Sequence, residues 1–555
     1  MMDTATGRVA TPFVHTNRPR QQLGTTDWLV LLFTLLVVAL VCLAQSTVKP
    51  FWYDELVTIH IASLPTLGDI FHFYETGQDT TSFLPAMLVH LFQRLPGRPE
   101  IILRLPSNIA YLVTCFCLWI FLRRKYTAGF ASSAVFLLPQ GLTLFFASEA
   151  RAYAFVMMGT AIAMVCWQTA NREDRWKRWA TFGVFFGLAF AILFHFFAVF
   201  LFVPFAIAEL YYERLTNRVR WNMWLALILY PTAILVMAPT MLIAKKTYGG
   251  TFWSKPSSGL VTECYSLFMQ PIDRGIAGIL LLIALLFWFR NRGTRPQLHL
   301  ENTVAPGFNK AEWLLLIAIT MVPVFAFAGS RFLGVFRSQY VLFFQLGMLL
   351  LIVGALAEIL GRRNRDGWAF AGLMLLLLAV HVRPDLRQEI NQFTGRAVTM
   401  TPADYQVSVL QFVQPIPLPV VVDAPLAMLP IYHYSTPDMQ QRLFVLTDHQ
   451  HSLEQPKAVT TELNMEIFGP TFHLPVRDYD QFVSTHRDFL LIVGPHWIEY
   501  AWLLQSLMKE SQTQHDVQLQ LLYATVPMDD QSQEVYRVHF GTASTGTTEI
   551  AETAH

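Results

Sequence analysis

Two adjacent carboxylates, Asp54 and Glu55, close the run Phe51-Trp52-Tyr53-Asp54-Glu55 directly after the first long apolar segment. Acids at a membrane boundary are costly to keep there unless they face water, a partner or a substrate. A desolvated carboxylate beside a second acid holds its proton more tightly, which is what a general base at neutral pH requires. The competing reading is structural: Asp54 caps a short interfacial helix, Glu55 is solvated, and the three aromatics form a membrane belt.

A second set of groups suits an anionic substrate. Arg104, Arg151 and Arg337 lie near the ends of apolar segments, where a planar guanidinium can grip two oxygens of a lipid phosphate. Snorkelling to the interface is the alternative for each. Glu149 can pair with Arg151, and His195 can touch substrate or be held by backbone carbonyls. Tyr153 and Tyr340 serve either as substrate contacts or as belt aromatics. Lys245 and Lys246 precede Thr247-Tyr248-Gly249-Gly250, a stretch flexible enough to close over a donor, and Asp79 adds a further acid. No His/Asp/Glu cluster has ligand spacing, so no metal site is expected. Of the five cysteines, Cys42, Cys115, Cys117 and Cys166 fall in apolar runs, which excludes a disulfide framework or a zinc motif. Walker, Rossmann and metalloprotease motifs are absent.

The elements that must position these residues follow from composition. With 555 residues, 54% hydrophobic and only 14% charged, the chain reads as an α-helical polytopic membrane protein. A net charge of +1 gives no sign of nucleic-acid binding. Runs long enough to cross occur at roughly 27–46, 101–122, 127–147, 152–170, 178–194, 196–212, 221–243, 274–290, 312–329, 340–360 and 367–382, about eleven spans in all. Basic knots at 123–125, 172–178, 214–220, 290–295 and 362–365 all fall on one side if the N-terminus is cytoplasmic and every run crosses. That parity requires a break near His195 in the long uncharged stretch 179–208. It also makes 48–100 a single outer loop with two amphipathic segments lying in the interface. The candidate residues then gather on the outer face.

Residues 1–26 are expected to form a cytoplasmic segment without a cleavable signal, and 27–383 the transmembrane domain. From about 384 to 541 the character is that of a soluble protein. Apolar strands are expected at 419–422, 443–446, 489–493 and 535–538, and a helix over 497–509, giving an extracytoplasmic α/β domain. Residues 542–555 read as a disordered tail. The two competing classes are a secondary transporter, which would carry its charges at mid-span in two matching halves, and a non-catalytic receptor.

Four short patterns fall on the outer face in a fixed order: Asp54-Glu55, Arg104-Leu105-Pro106-Ser107, Ser148-Glu149-Ala150-Arg151-Ala152-Tyr153, and Arg337-Ser338-Gln339-Tyr340. Together, over about residues 25–360, they resemble the GT-C glycosyltransferases that take sugar from a polyprenyl phosphate. That superfamily includes the protein O-mannosyltransferases and the lipid A aminoarabinose transferase. Many relatives carry a His-Pro-Pro or Lys-Pro element where this chain has Gly77 to Pro85, of which only Pro85 matches. The resemblance implies a polyprenyl-phosphate sugar donor, a lipid, glycan or protein hydroxyl as acceptor, and an inverting displacement in the plasma membrane with a periplasmic or extracytoplasmic site. It implies Asp54 as base, and Arg104, Arg151, Arg337 and Tyr340 at the donor phosphate; Glu55, which points another way on a helix, is expected to orient Asp54 or the interfacial helix. No cofactor is expected, and a divalent metal is not excluded, since oligosaccharyltransferase members use one. Reporter fusions at Arg124, Arg175, Arg218, Arg292 and Arg363 should all report cytoplasm, and one clear external report would break the parity.

Overall fold

An uninterrupted apolar run in hydrocarbon leaves its backbone polar groups no partner but each other, so it forms a helix. The computed structural model describes residues 23–75, 81–140, 142–172, 175–248, 255–269, 306–394, 409–454, 459–494, 501–513, 517–525 and 533–541. Among them, six helices are long and apolar enough to cross a membrane: Thr25–Val48, Leu105–Arg123, Tyr153–Ala170, Lys177–Phe194, Phe196–Thr216 and Asn364–Arg383. Two bent pairs, Trp221–Val236 with Ala238–Thr247 and Lys310–Thr320 with Val322–Leu333, raise the number to eight. The shorter apolar helices Ala128–Gln140 and Phe344–Ile359 occupy two more of the expected runs, while the run at 274–290 lies outside the described residues. The chain is a multi-pass membrane protein.

Proline explains several irregularities. Pro106 and Pro323 sit in first turns, where the missing N–H costs nothing. Pro323 also fixes the 47° bend after Met321. The long uncharged stretch breaks at His195, whose backbone is extended (φ −153°, ψ 119°) and whose Nδ1 accepts from Phe197 N–H at 3.3 Å. Helices Tyr153–Ala170 and Lys177–Phe194 approach through glycine: a Cβ on Gly159 would lie 2.5 Å from the Gly187 carbonyl oxygen. Small residues permit that closeness, the usual device of helix packing in lipid.

The bundle has two chemically distinct ends. At one, Arg123 pairs with Asp27 at 2.7 Å and Lys125 with Glu312 at 2.8 Å. Arg220 pairs with Glu209 there, and Arg362 with Glu358. At the other end the expected loop 48–100 holds the short helices Tyr53–Ala62, Leu67–Glu75 and Leu84–Phe92, which pack over the bundle.

The C-terminal region is a mixed six-stranded sheet in the order β3-β2-β1-β4-β6-β5: β1 Val420–Val422, β2 Leu443–Thr447, β3 Val476–Asp478, β4 Asp488–Val493, β5 Val517–Ala524 and β6 Glu534–Phe540. β3, β2, β1 and β4 are parallel, and β5 and β6 are antiparallel. β1 and β4 are buried on both faces, as near-continuous aliphatic runs in a covered parallel sheet should be. The sequence pattern misses β3 and β5, which are the edge strands and lack such runs. The last span continues as helix to Thr394, past the boundary read at residue 384, because hydropathy falls at Arg383 while the backbone helix does not end there. One apolar core joins this domain to the outer loop, with Phe73 stacked on Phe468 at 5.5 Å.

Candidate active site

The first span ends at Val48, and the chain must turn at once to start the helix that carries the two acids. Arg104 holds that turn. Its Nε and Nη2 grip Glu55 in a two-pronged pair at 2.8 and 2.7 Å. Its remaining N–H groups donate to the carbonyls of Ser46, Lys49 and Pro50. All five donors of the guanidinium are thereby used, and both side chains are 0% exposed. Ala150 N–H adds a third bond to Glu55 at 3.0 Å. Burial alone would raise the Glu55 proton affinity, but Arg104, Lys49 and the Ala150 amide together hold it below the ordinary carboxylate value. The expected phosphate contact at Arg104 is therefore corrected: with no N–H to spare and no exposure, it is the buried counter-ion of Glu55. Glu55, so clamped, anchors the helix that carries Asp54.

Asp54 lies one residue earlier on the helix and points another way. Its side chain is 30% exposed, and its carboxylate pairs with Arg151 at 3.2 Å. Arg151 also donates to the Asp54 carbonyl and to Thr58 Oγ1. Beside it lies an aromatic wall in which His195 stands 6.2 Å from Tyr153 and 4.9 Å from Tyr340, ring centre to ring centre. Because His195 Nδ1 accepts from the Phe197 amide, the neutral ring presents its N–H at Nε2. Arg337 opens the short 3₁₀ turn Ser338–Val341 that carries Tyr340.

Glu149 pairs with Lys49 at 2.7 Å and not with Arg151, whose partner is Asp54. Lys49 also donates to the Phe145 carbonyl and sits 3.4 Å from the centre of the Phe145 ring. Glu149 is wholly buried, and its second oxygen has no hydrogen-bond partner. Burial pushes its proton affinity up to about 7 against the pull of Lys49, with Glu55 and Asp54 adding repulsion.

The arrangement is a half-buried carboxylate, a guanidinium and aromatic rings at one end of a helical bundle. Residues 80–243 match the family model described as dolichyl-phosphate-mannose-protein mannosyltransferase. The resemblance to GT-C glycosyltransferases is borne out over that stretch, which contains Arg104, Glu149, Arg151, Tyr153 and His195. Among solved structures the chain is similar to ArnT from Cupriavidus metallidurans bound to undecaprenyl phosphate, at 14% identity and a TM-score of 0.42, covering 95% of this chain and 100% of that one. It is also similar to the oligosaccharyltransferase of Archaeoglobus fulgidus in complex with zinc and sulfate, at 11% identity and a TM-score of 0.39, covering 82% of this chain and 67% of that one. No curated protein matches.

Of the expected residues, the structure brings together Asp54, Arg151, Tyr153, His195 and Tyr340, with Glu55, Arg104 and Glu149 in the layer behind. Lys245 and Lys246 are exposed at the end of the helix Ala238–Tyr248. Asp79 lies outside the described residues, and among the described residues no group of three or more His, Cys, Asp or Glu could hold a metal ion. Lys49 and Thr58 escape sequence reasoning. A lysine directly after a span reads as a snorkelling cation, and only the fold shows Glu149 beside it.

Two outcomes follow. Arg104→Met should destabilise the protein by about 3–5 kcal/mol, because it strands the Glu55 charge in the interior. Unfolding followed by circular dichroism should show this, and an unchanged melting temperature with lost lipid-phosphate binding would restore the phosphate role. For Glu149, whose affinity is raised on folding, the stabilising contribution is present below the ordinary carboxylate value and lost as pH rises through about 7. Stability should therefore fall between about pH 4.5 and 7, and Glu149→Gln should flatten that fall. Glu55 runs the other way, its contribution being lost only as pH drops through its lowered value.

Proposed function

We propose that this protein is a glycosyltransferase that moves a monosaccharide from a polyprenyl phosphate to an acceptor hydroxyl. The observation that carries the reading is the division of labour in the acid pair. Glu55 is fully clamped, while Asp54 is held by Arg151 with its carboxylate reaching solvent. The family match over residues 80–243 supports the same class, since its description names a dolichyl-phosphate sugar as donor.

In this reading the acceptor oxygen attacks the anomeric carbon and gives its proton to the Asp54 carboxylate. The bond from that carbon to the phosphate oxygen breaks, and polyprenyl phosphate leaves with the electron pair. One in-line displacement inverts the sugar configuration. Arg151 and Arg337 receive the negative charge that builds on the leaving phosphate. Arg151 is already shared between Asp54 and Thr58, so an arriving phosphate competes for it and frees the Asp54 carboxylate when the donor is in place. Tyr153, His195 and Tyr340 offer ring faces and N–H or O–H donors to the sugar.

The end of the bundle bearing Asp54 faces the extracytoplasmic side of the plasma membrane, with the sheet domain on the same side and the N-terminus in the cytoplasm. The paired basic residues at the other end support this orientation. The boundaries proposed are 27–383 for the membrane domain and 384–541 for the outer domain.

Purified protein should transfer sugar from a polyprenyl-phosphate monosaccharide and not from a nucleotide sugar. Asp54→Asn should cut turnover by about 10²–10⁴, the usual cost of losing a general base, while lipid-phosphate binding holds. Transfer from nucleotide sugar alone, or wild-type turnover by Asp54→Asn, would contradict the reading.

A further inference from the structure

The turn that carries Asp54 is held from two directions. Within the bundle, the Arg104 guanidinium lies 4.7 Å from the centre of the Phe51 ring and donates to the Pro50 carbonyl. From the C-terminal domain, the helix Pro425–Tyr434 ends against the same residue. Phe51 N–H donates to Tyr434 Oη at 2.9 Å, and the His433 ring meets the Phe51 ring edge-on at 5.7 Å. Phe51 is 1% exposed, so its amide has no water to turn to if the phenol is removed. The next residue, Trp52, is the extended cap from which the helix starts, its carbonyl accepting Leu56 N–H, and Asp54 is in the first turn. The place of Phe51 therefore sets where the helix begins and where the Asp54 carboxylate points.

We propose that Tyr434 is a positioning residue, through which the C-terminal α/β domain fixes the place of the Asp54 carboxylate. The proposal rests on the reading of Asp54 as the base. The rest of the interface is apolar packing, in which Phe73 stacks on Phe468 and His60, near the far end of the Asp54 helix, meets Phe472 edge-on. The Tyr434 bond holds the start of that helix, whereas Phe472 meets it near its end. An acceptor engaged by the outer domain would be felt at Asp54 through the Phe51–Tyr434 bond, so the domain acts on turnover and leaves donor affinity alone.

The test compares full-length wild type, Tyr434→Phe and Phe472→Leu in lipid nanodiscs. It reads amide hydrogen exchange over residues 50–56, melting temperature, inorganic-phosphate and polyprenyl-phosphate binding, and kcat and KM for a polyprenyl-phosphate sugar. Tyr434→Phe should accelerate exchange over 50–56 and lower kcat by about three- to tenfold, the scale of one buried hydrogen bond, with donor KM and lipid-phosphate affinity unchanged. Phe472→Leu should lower the melting temperature while kcat below it stays at the wild-type level. Unchanged exchange over 50–56 in Tyr434→Phe overturns the proposal whatever kcat does, and so does a rise in donor KM without a fall in kcat. If wild type transfers from no polyprenyl-phosphate donor, the functional reading fails by itself, and the exchange result still decides the coupling.

Discussion

The Glu55–Arg104 ion pair is the constraint on which the site depends. Two charges taken wholly out of water recover their desolvation only when every donor and acceptor is matched. Here all five guanidinium N–H groups are used and Glu55 gains the Ala150 amide as well. The partners come from distant parts of the chain: the end of the first span, the first outer helix, the start of the next span and the loop before Tyr153. One buried pair thereby fixes four segments relative to one another. Adjacent residues on a helix point differently, so anchoring Glu55 inward turns Asp54 toward the open side.

Around that pair the charges are arranged in a graded way. Glu55 is fully compensated, Glu149 is half compensated by Lys49, and Asp54 shares an arginine that other groups also engage. In the proposed reaction, binding an anion and then collecting a proton, such a gradient is an advantage. The innermost pair gives rigidity, and the outermost remains exchangeable. The opposite end of the bundle shows what purely structural pairing looks like: Lys125 meets Glu312, which itself closes a capping box with Asn309 and accepts from Gln168.

Much of this was legible in the sequence. Hydropathy located the spans because a helix in lipid must be apolar along its whole length, and the charge parity required the break that His195 supplies. Asp54, Arg151, Tyr153, His195 and Tyr340 were named from types and spacing, and they converge. What could not be read was which arginine does which task. Arg104 and Arg151 look alike in sequence, each near a span end, and only the fold separates the fully buried clamp from the partly buried partner of Asp54. The pairing of Glu149 was misread for a related reason: sequence proximity favoured Arg151, whereas the fold brings Lys49 across from the first span. Edge strands β3 and β5 were missed because half-exposed strands lack the aliphatic run that marks the central ones.

The most direct measurement of the central claim is an experimental structure of the protein with polyprenyl phosphate bound. The account predicts the phosphate beside Asp54, Arg151, His195 and Tyr340, with Arg104 still gripping Glu55. A phosphate held by Arg104, or one seated at the opposite end beside Arg124 and Lys125, would contradict it.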